Sequence, residues 1–231
     1  MTIFPETGAS EPFSNAETLD PDMVMPAQRG RKVPVQVDLV FAIDRTASSL
    51  EFAAGIRQAI PMIARPVIAK AARVRLFLQT HGDLDCNQQP VMLVRDGQLD
   101  DVVTAVQHLR FEGGGDPPEH HTHAVETALD SVDWSGVPPR SRGAIVLFTT
   151  ADTKPSPSGR SPREIGQSLA TRGVFLFAVS QLEPGVRELV DGAQGMPFAI
   201  SNDPSVAEMQ SIASKVAASV TDSIVQGLAQ A

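Results

Sequence analysis

One stretch constrains this chain more than any other. Val35, Val37, Leu39, Val40, Phe41, Ala42 and Ile43 make a nearly continuous apolar run that stops at Asp44. A run this short and this apolar predicts a strand covered on both faces, and therefore a place inside a sheet, because an edge would leave much of it in water. The segments that follow alternate between helix and strand periods. A helix is predicted from about 48 to 71, with Ala53, Ile56, Ile60, Ile63 and Val67 inward. Pro61 and Pro66 fall within it and should kink or divide it. Further strands are predicted at 74–79, 90–94, 144–148, 174–179 and 197–200, with Asp96-Gly97 turning the chain out of the third. Helices are predicted at 99–109, after 119 with Ala124, Val125, Ala128, Leu129 and Val132 inward, near 165–169 and 185–189, and from about 204 to 228. The alternation implies an α/β fold with a doubly wound, mostly parallel, six-stranded sheet flanked by helices. Strands two and three have no helix between them, so the third should be an antiparallel edge. Right-handed crossovers then give the order 3-2-1-4-5-6.

Residues 1–33 read differently. Pro5, Pro12, Pro21 and Pro26 interrupt a polar stretch that ends in Arg29, Arg31 and Lys32, and no period survives there. The expected organisation is a weakly ordered extension over 1–33 and one domain over 34–231. Nineteen basic against 27 acidic residues give a net charge of -8, which argues against a nucleic-acid grip or a polybasic membrane anchor. Cys86 is the single cysteine, so no internal disulfide forms. No run of about 18 apolar residues would span a membrane, and Met1 to Pro26 lacks the basic and apolar regions of a secretory signal. The expected compartment is the cytoplasm.

Ligands of open α/β sheets bind beyond the carboxyl ends of the strands. The first strand ends in Asp44-Arg45-Thr46-Ala47-Ser48, one carboxylate and two hydroxyls at alternate positions on a tight turn. These are hard oxygen donors suited to a cation such as Mg²⁺; the plainer reading has Ser48 capping a helix. Gly113-Gly114-Gly115-Asp116 offers a second carboxylate on a loop whose backbone can pass close to a ligand. Thr149-Thr150-Ala151-Asp152 follows the fourth strand and offers a third. Three such loops at one sheet edge are hard to explain as three separate caps.

Here the residues match a family. Asp44, Thr46 and Ser48 resemble the Asp-x-Ser-x-Ser motif of the von Willebrand factor type A (VWA) domain, whose metal site is called a metal-ion-dependent adhesion site. Gly113-Gly114-Gly115-Asp116 with Pro118-Glu119 resembles the Gly-Gly-Gly-Asp-x-Pro-Glu variant of bacterial and intracellular members, as does His81-Gly82-Asp83. Asp152 matches the family's third motif in residue type, and Thr150 holds the other possible alignment. The resemblance covers about 34–228. It implies a Rossmann-like six-stranded fold with a divalent metal at its top, Mg²⁺ or else Mn²⁺ or Ca²⁺. Asp44, Thr46, Ser48, Asp116 and Asp152 are then the candidate ligands. It implies a binding module and not an enzyme: a protein partner offers an acidic side chain to the metal. The resemblance further implies an adaptor subunit in an intracellular bacterial multi-protein system, for instance beside an AAA+ ATPase. Arg45, Glu119 and Lys154 are the candidate partner contacts.

The cluster Glu119, His120, His121, His123 lacks metalloprotease spacing and reads first as a solvated helix start, second as an accessory metal or partner contact. Asp83 and Asp85 beside Cys86 read as a polar loop more readily than as a second metal site. Cys86 has no activating neighbour in sequence. Trp134 should pack at a helix end. The stretch 154–163, with three prolines and three basic residues, reads as a mobile loop near the metal face, or as a specificity element that meets an acidic partner. No phosphate-binding Gly-rich loop and no nucleophile elbow is found. Two alternatives remain: a VWA-like scaffold with a degenerate metal site, and a Mg²⁺-dependent phosphohydrolase built on Asp44.

Overall fold

The computed structural model describes residues 32–115, 117–134 and 141–229, with backbone alone at 33–34 and 224–229. Six strands form one sheet: β1 (Val33–Asp44), β2 (Ala71–His81), β3 (Val91–Gly97), β4 (Ser141–Phe148), β5 (Val174–Ser180) and β6 (Gln194–Ala199). Their order is β3-β2-β1-β4-β5-β6, with β3 antiparallel to β2 and every other pair parallel. The order and the antiparallel edge are those expected from the sequence. The expected extension over 1–33 lies outside the described residues except at its end, where β1 already begins at Val33.

The apolar run does what its composition demands. β1 pairs with β2 on one side and β4 on the other, and residues of one parity face each helical layer. Val35, Val37, Leu39, Phe41 and Ile43 pack toward α1 (Ala53–Lys70), α2 (Leu99–Gln107) and α6 (Val206–Ala229). Val40 and Ala42 pack toward α3 (His121–Ser131), α4 (Pro162–Thr171) and α5 (Pro184–Gly192). Asp38 shares this second face and is fully buried. Arg75 of β2 holds it with two bonds at 2.8 and 3.0 Å and lies over the Phe77 ring.

Three expectations are corrected, the first of them only in its alternative of a divided helix. The first helix is not divided: a 3₁₀ turn at Ala47–Ser49 precedes it, and α1 then runs through Pro61 and Pro66 as one element. Pro66 is exposed and Pro61 only half-buried, so the backbone bonds each proline forfeits lie toward water. β3 runs on through Asp96-Gly97, with Gly97 opposite Leu76; Asp96 adopts a positive φ of 49° within the strand. The segment 154–163 is tethered. Ser156, Ser158 and Arg160 all bond the Glu126 carboxylate of α3, and Ser161 caps α4 with a reciprocal Glu164 bond. Trp134 packs as expected: its Nε1–H donates to the Leu129 carbonyl at 2.9 Å, and its ring covers Gly143.

Candidate functional site

The parallel strands β1 and β4 end side by side, so Asp44 and the residues after Phe148 arrive at the same edge. Asp44 is fully buried. Its Oδ1 accepts from the Thr46 backbone N–H at 2.9 Å and from the Thr46 hydroxyl at 2.8 Å, and its Oδ2 accepts from Ser49 at 2.9 Å. Thr46 Oγ1 is 3.0 Å from Ser48 Oγ. Thr150 reaches the same web from β4, donating to Ser48 Oγ at 3.1 Å and lying 3.3 Å from Ser49 Oγ. The donor set is therefore entirely hard oxygen. Thr46, Ser48 and Thr150 line a cleft of about 530 Å³, together with Gly113, Gly114 and Glu119, and Asp44 lies buried behind them.

The glycine loop closes the other side. The Arg45 carbonyl accepts from Glu112, and Ala47 donates to the Gly113 carbonyl, so the loop lies against the turn after β1. Gly114 has φ +87°, and a Cβ there would stand 2.9 Å from Thr46 Cβ and 3.2 Å from Glu119 Oε1. Only glycine fits that conformation and that gap. Asp116 lies outside the described residues. Gln88 staples the loop to β2's end, accepting from Gly114 and Asp83 and donating to the Glu112 carbonyl.

Glu119, expected to meet a partner, is only 3 % exposed. A bridge to Thr153 pins its backbone, with its N–H on the Asp152 carbonyl and its carbonyl taking the Lys154 N–H. Its carboxyl stands beside Thr46, and its Oε2 has no hydrogen-bond partner. Burial, with help from the Asp44 and Asp83 charges, pushes its pKa up to about 7 against the pull of a Thr46 hydrogen bond.

Asp152 borders the cleft but is engaged elsewhere. Its Oδ1 accepts from the N–H groups of Thr153, Gly185 and Val186, the last two in the first turn of α5. Thr150, and not Asp152, joins the oxygens around Asp44. Arg45 is half-buried beside the turn.

His120 and His121 are not a solvated helix start. His121 is fully buried and His120 only 9 % exposed. His121 Nε2 lies 2.6 Å from Thr149 Oγ1, and its Nδ1 lies 2.9 Å from His81 Nε2. Thr149 donates on to Asp44 Oδ2 at 3.5 Å. Burial, and then the other imidazole, pushes His81 down to about 3, and burial likewise depresses His121. Both rings are neutral near pH 7 and bring no positive charge to Asp44. His121 could have been read from the helix phase, since it lies three and four residues before the inward Ala124 and Val125.

A second cluster stands next to the first. One ligand atom each from Asp83, Asp85 and His120 lies within 4.8 Å of the others, a set that could hold a metal ion. Asp83 and Asp85 read in sequence as a polar loop; folding buries Asp83 and brings His120 to 2.8 Å from its Oδ1. Lys154, the expected partner contact, puts its ammonium 2.5 Å from Asp85 Oδ2 and 3.5 Å from Asp83 Oδ1. Burial opposes Asp83's charge, yet the Asp85 N–H, His120 and Lys154 hold its carboxyl below the usual range. This cluster already contains a cation.

No family model and no curated protein matches the sequence. Solved structures do match in fold. The VWA domain of SpRpn10 is 13% identical with a TM-score of 0.60, over 77% of this chain and 94% of that one. Proximal thread matrix protein 1 from the mussel byssus is 14% identical with a TM-score of 0.61, over 81% of this chain and 46% of that one. A second crystal form of the mussel protein gives 12% and 0.56. The likeness shows that the chain has the fold of these proteins, a VWA-like, Rossmann-like arrangement. Among the described residues no helix is long and apolar enough to cross a membrane.

Proposed function

We propose that this chain is a protein-interaction module that holds a divalent cation, Mg²⁺ or Mn²⁺, at Asp44, Thr46 and Ser48. One observation carries the reading: a fully buried carboxylate at the ends of two adjacent strands, ringed by hydroxyls, with no basic side chain bonded to it among the described residues. A buried charge is costly unless paired or bound to metal. The all-oxygen donor set fits a hard cation. When bound, the cation would supply a positive charge at the mouth of the cleft, to which an acidic side chain of a partner can be drawn. Asp116 is proposed to add a carboxylate to this group. The similarity of the first two motifs to bacterial and intracellular VWA members supports the finer reading of a cytoplasmic adaptor subunit in a multi-protein system. An AAA+ ATPase is one candidate neighbour.

A second reading, a scaffold that binds partners without metal, draws support from Asp152, whose Oδ1 caps α5. Capture from an extract of the source cells separates the two. The full chain and its Asp44→Asn variant are immobilised and exposed to extract with Mg²⁺ or with chelator. The metal-dependent reading expects proteins retained by the wild type with Mg²⁺ and lost with chelator and with the variant. An identical set in all conditions favours the scaffold. We propose binding without turnover; hydrolysis of a generic phosphoester that disappears in Asp44→Asn would instead favour the phosphohydrolase.

A further inference from the structure

Two buried carboxylates face this site, and neither has a cationic partner. Asp44 is fully buried and Glu119 is 3 % exposed. Among the described residues no ion pair reaches either one. Lys154, the basic side chain that acts on Glu119, is held by Asp83 and Asp85. Thr46 has one hydroxyl proton, and both Asp44 and Glu119 stand against it. Glu119 keeps Oε2 unpartnered in the protein interior, while it borders the same cleft as Thr46, Ser48 and Thr150. Its backbone is fixed on both sides by the Thr153 bridge, and its side chain lies in the interior.

We infer that Glu119 is an internal carboxylate ligand of the cation held at Asp44, Thr46 and Ser48, contributed by the chain itself and not presented to a partner. Asp44 and Glu119 by themselves match the charge of a dication, before the carboxylate proposed for Asp116 is counted. The cation is therefore held before any partner arrives, and a partner's acidic group adds less than it would at a site with a single carboxylate. The glycine at 114 belongs to this arrangement, since a side chain there would separate Glu119 from Thr46. The neighbouring Asp83–Asp85–His120 group already holds one positive charge, that of Lys154, which the Asp44 and Glu119 carboxylates lack.

This inference rests on the cation reading above, and the test separates them. The full chain, Glu119→Gln and Asp44→Asn are titrated with MnCl₂ by calorimetry, and each is melted without metal. Glu119→Gln is expected to bind Mn²⁺ about tenfold more weakly or worse, while its metal-free melting temperature stays at or above the wild type. Asp44→Asn should lose the site. If Asp44→Asn abolishes binding and Glu119→Gln stays within about twofold, Glu119 is not a ligand and the cation reading stands. If neither variant changes binding, both fall. A wild-type measurement covers the case in which Glu119→Gln does not fold. On Mg²⁺ addition the Glu119 carboxyl ¹³C resonance should shift together with that of Asp44; a shift at Asp44 alone overturns the inference.

Discussion

Acid should destabilise this protein through the paired imidazoles behind Asp44. His81 is fully buried, its Nδ1 has no partner, and its Nε2 faces a second buried imidazole, so protonation must place a charge where nothing solvates it. Its pKa is about 3 in the folded chain against 6.5 for the free side chain. The unfolded chain therefore binds the proton first. Stability is fully present above about pH 6.5 and falls as pH drops from 6.5 toward 3, at about 1.4 kcal/mol per unit for this group. Between pH 7.5 and 5.0 the loss from His81 alone is about 2 kcal/mol, and His121, shifted the same way, adds to it. Glu119 acts in the opposite sense. Its folded pKa of about 7 exceeds its unfolded one, so it gains stability as pH falls over the same window. The clean readout is therefore the difference between the wild type and His81→Gln, both in chelator, followed by urea unfolding at the two pH values. With an m value near 2 kcal/mol/M, the wild-type midpoint should move down by about 1 M more than that of the variant. Equal movement in both would mean that His81 is not buried as a neutral ring.

Gly166→Ala should lower the melting temperature by roughly 5 °C or more without changing cation affinity, because a Cβ there would lie 2.2 Å from the Leu189 carbonyl and 2.8 Å from the Ala193 nitrogen, backbone that cannot give way. Thermal melts alongside MnCl₂ titrations check both halves. Glu126→Gln should cost about 1–3 kcal/mol and speed proteolysis within 154–163, since Ser156, Ser158 and Arg160 all converge on that carboxylate. Burial works against the Glu126 charge, yet those donors hold its pKa below the usual range; the contribution is present above about pH 4.5 and fades as pH falls below it. A variant as resistant to protease as the wild type at neutral pH would show that the tether does not order the loop.

The sheet was legible because its signals are local. The run ending at Asp44 is too apolar for an edge, and the missing helix between β2 and β3 marks the antiparallel pair. The Asp44-Thr46-Ser48 turn was legible for the same reason, since its members are two residues apart and follow a strand. What the sequence does not display depends on tertiary contacts. α1 runs unbroken through Pro61, half-buried, and Pro66, exposed, a fact of packing that the sequence does not display. Glu119 was read as a surface contact, whereas a bridge to Thr153, 34 positions along, pulls it inside. Lys154 gives its charge to Asp83 and Asp85, 71 and 69 positions away in sequence. Asp152 has the residue type that the family motif suggests, and only the nearness of α5 reveals that its Oδ1 serves a helix terminus.

The most direct test is a crystal structure grown with Mn²⁺ and an anomalous difference map. The expected result is a peak bounded by Asp44, Thr46 and Ser48, with the Glu119 carboxyl in its shell. A map with no peak there, or with a peak only among Asp83, Asp85 and His120, would contradict the assignment of the cation to the end of β1.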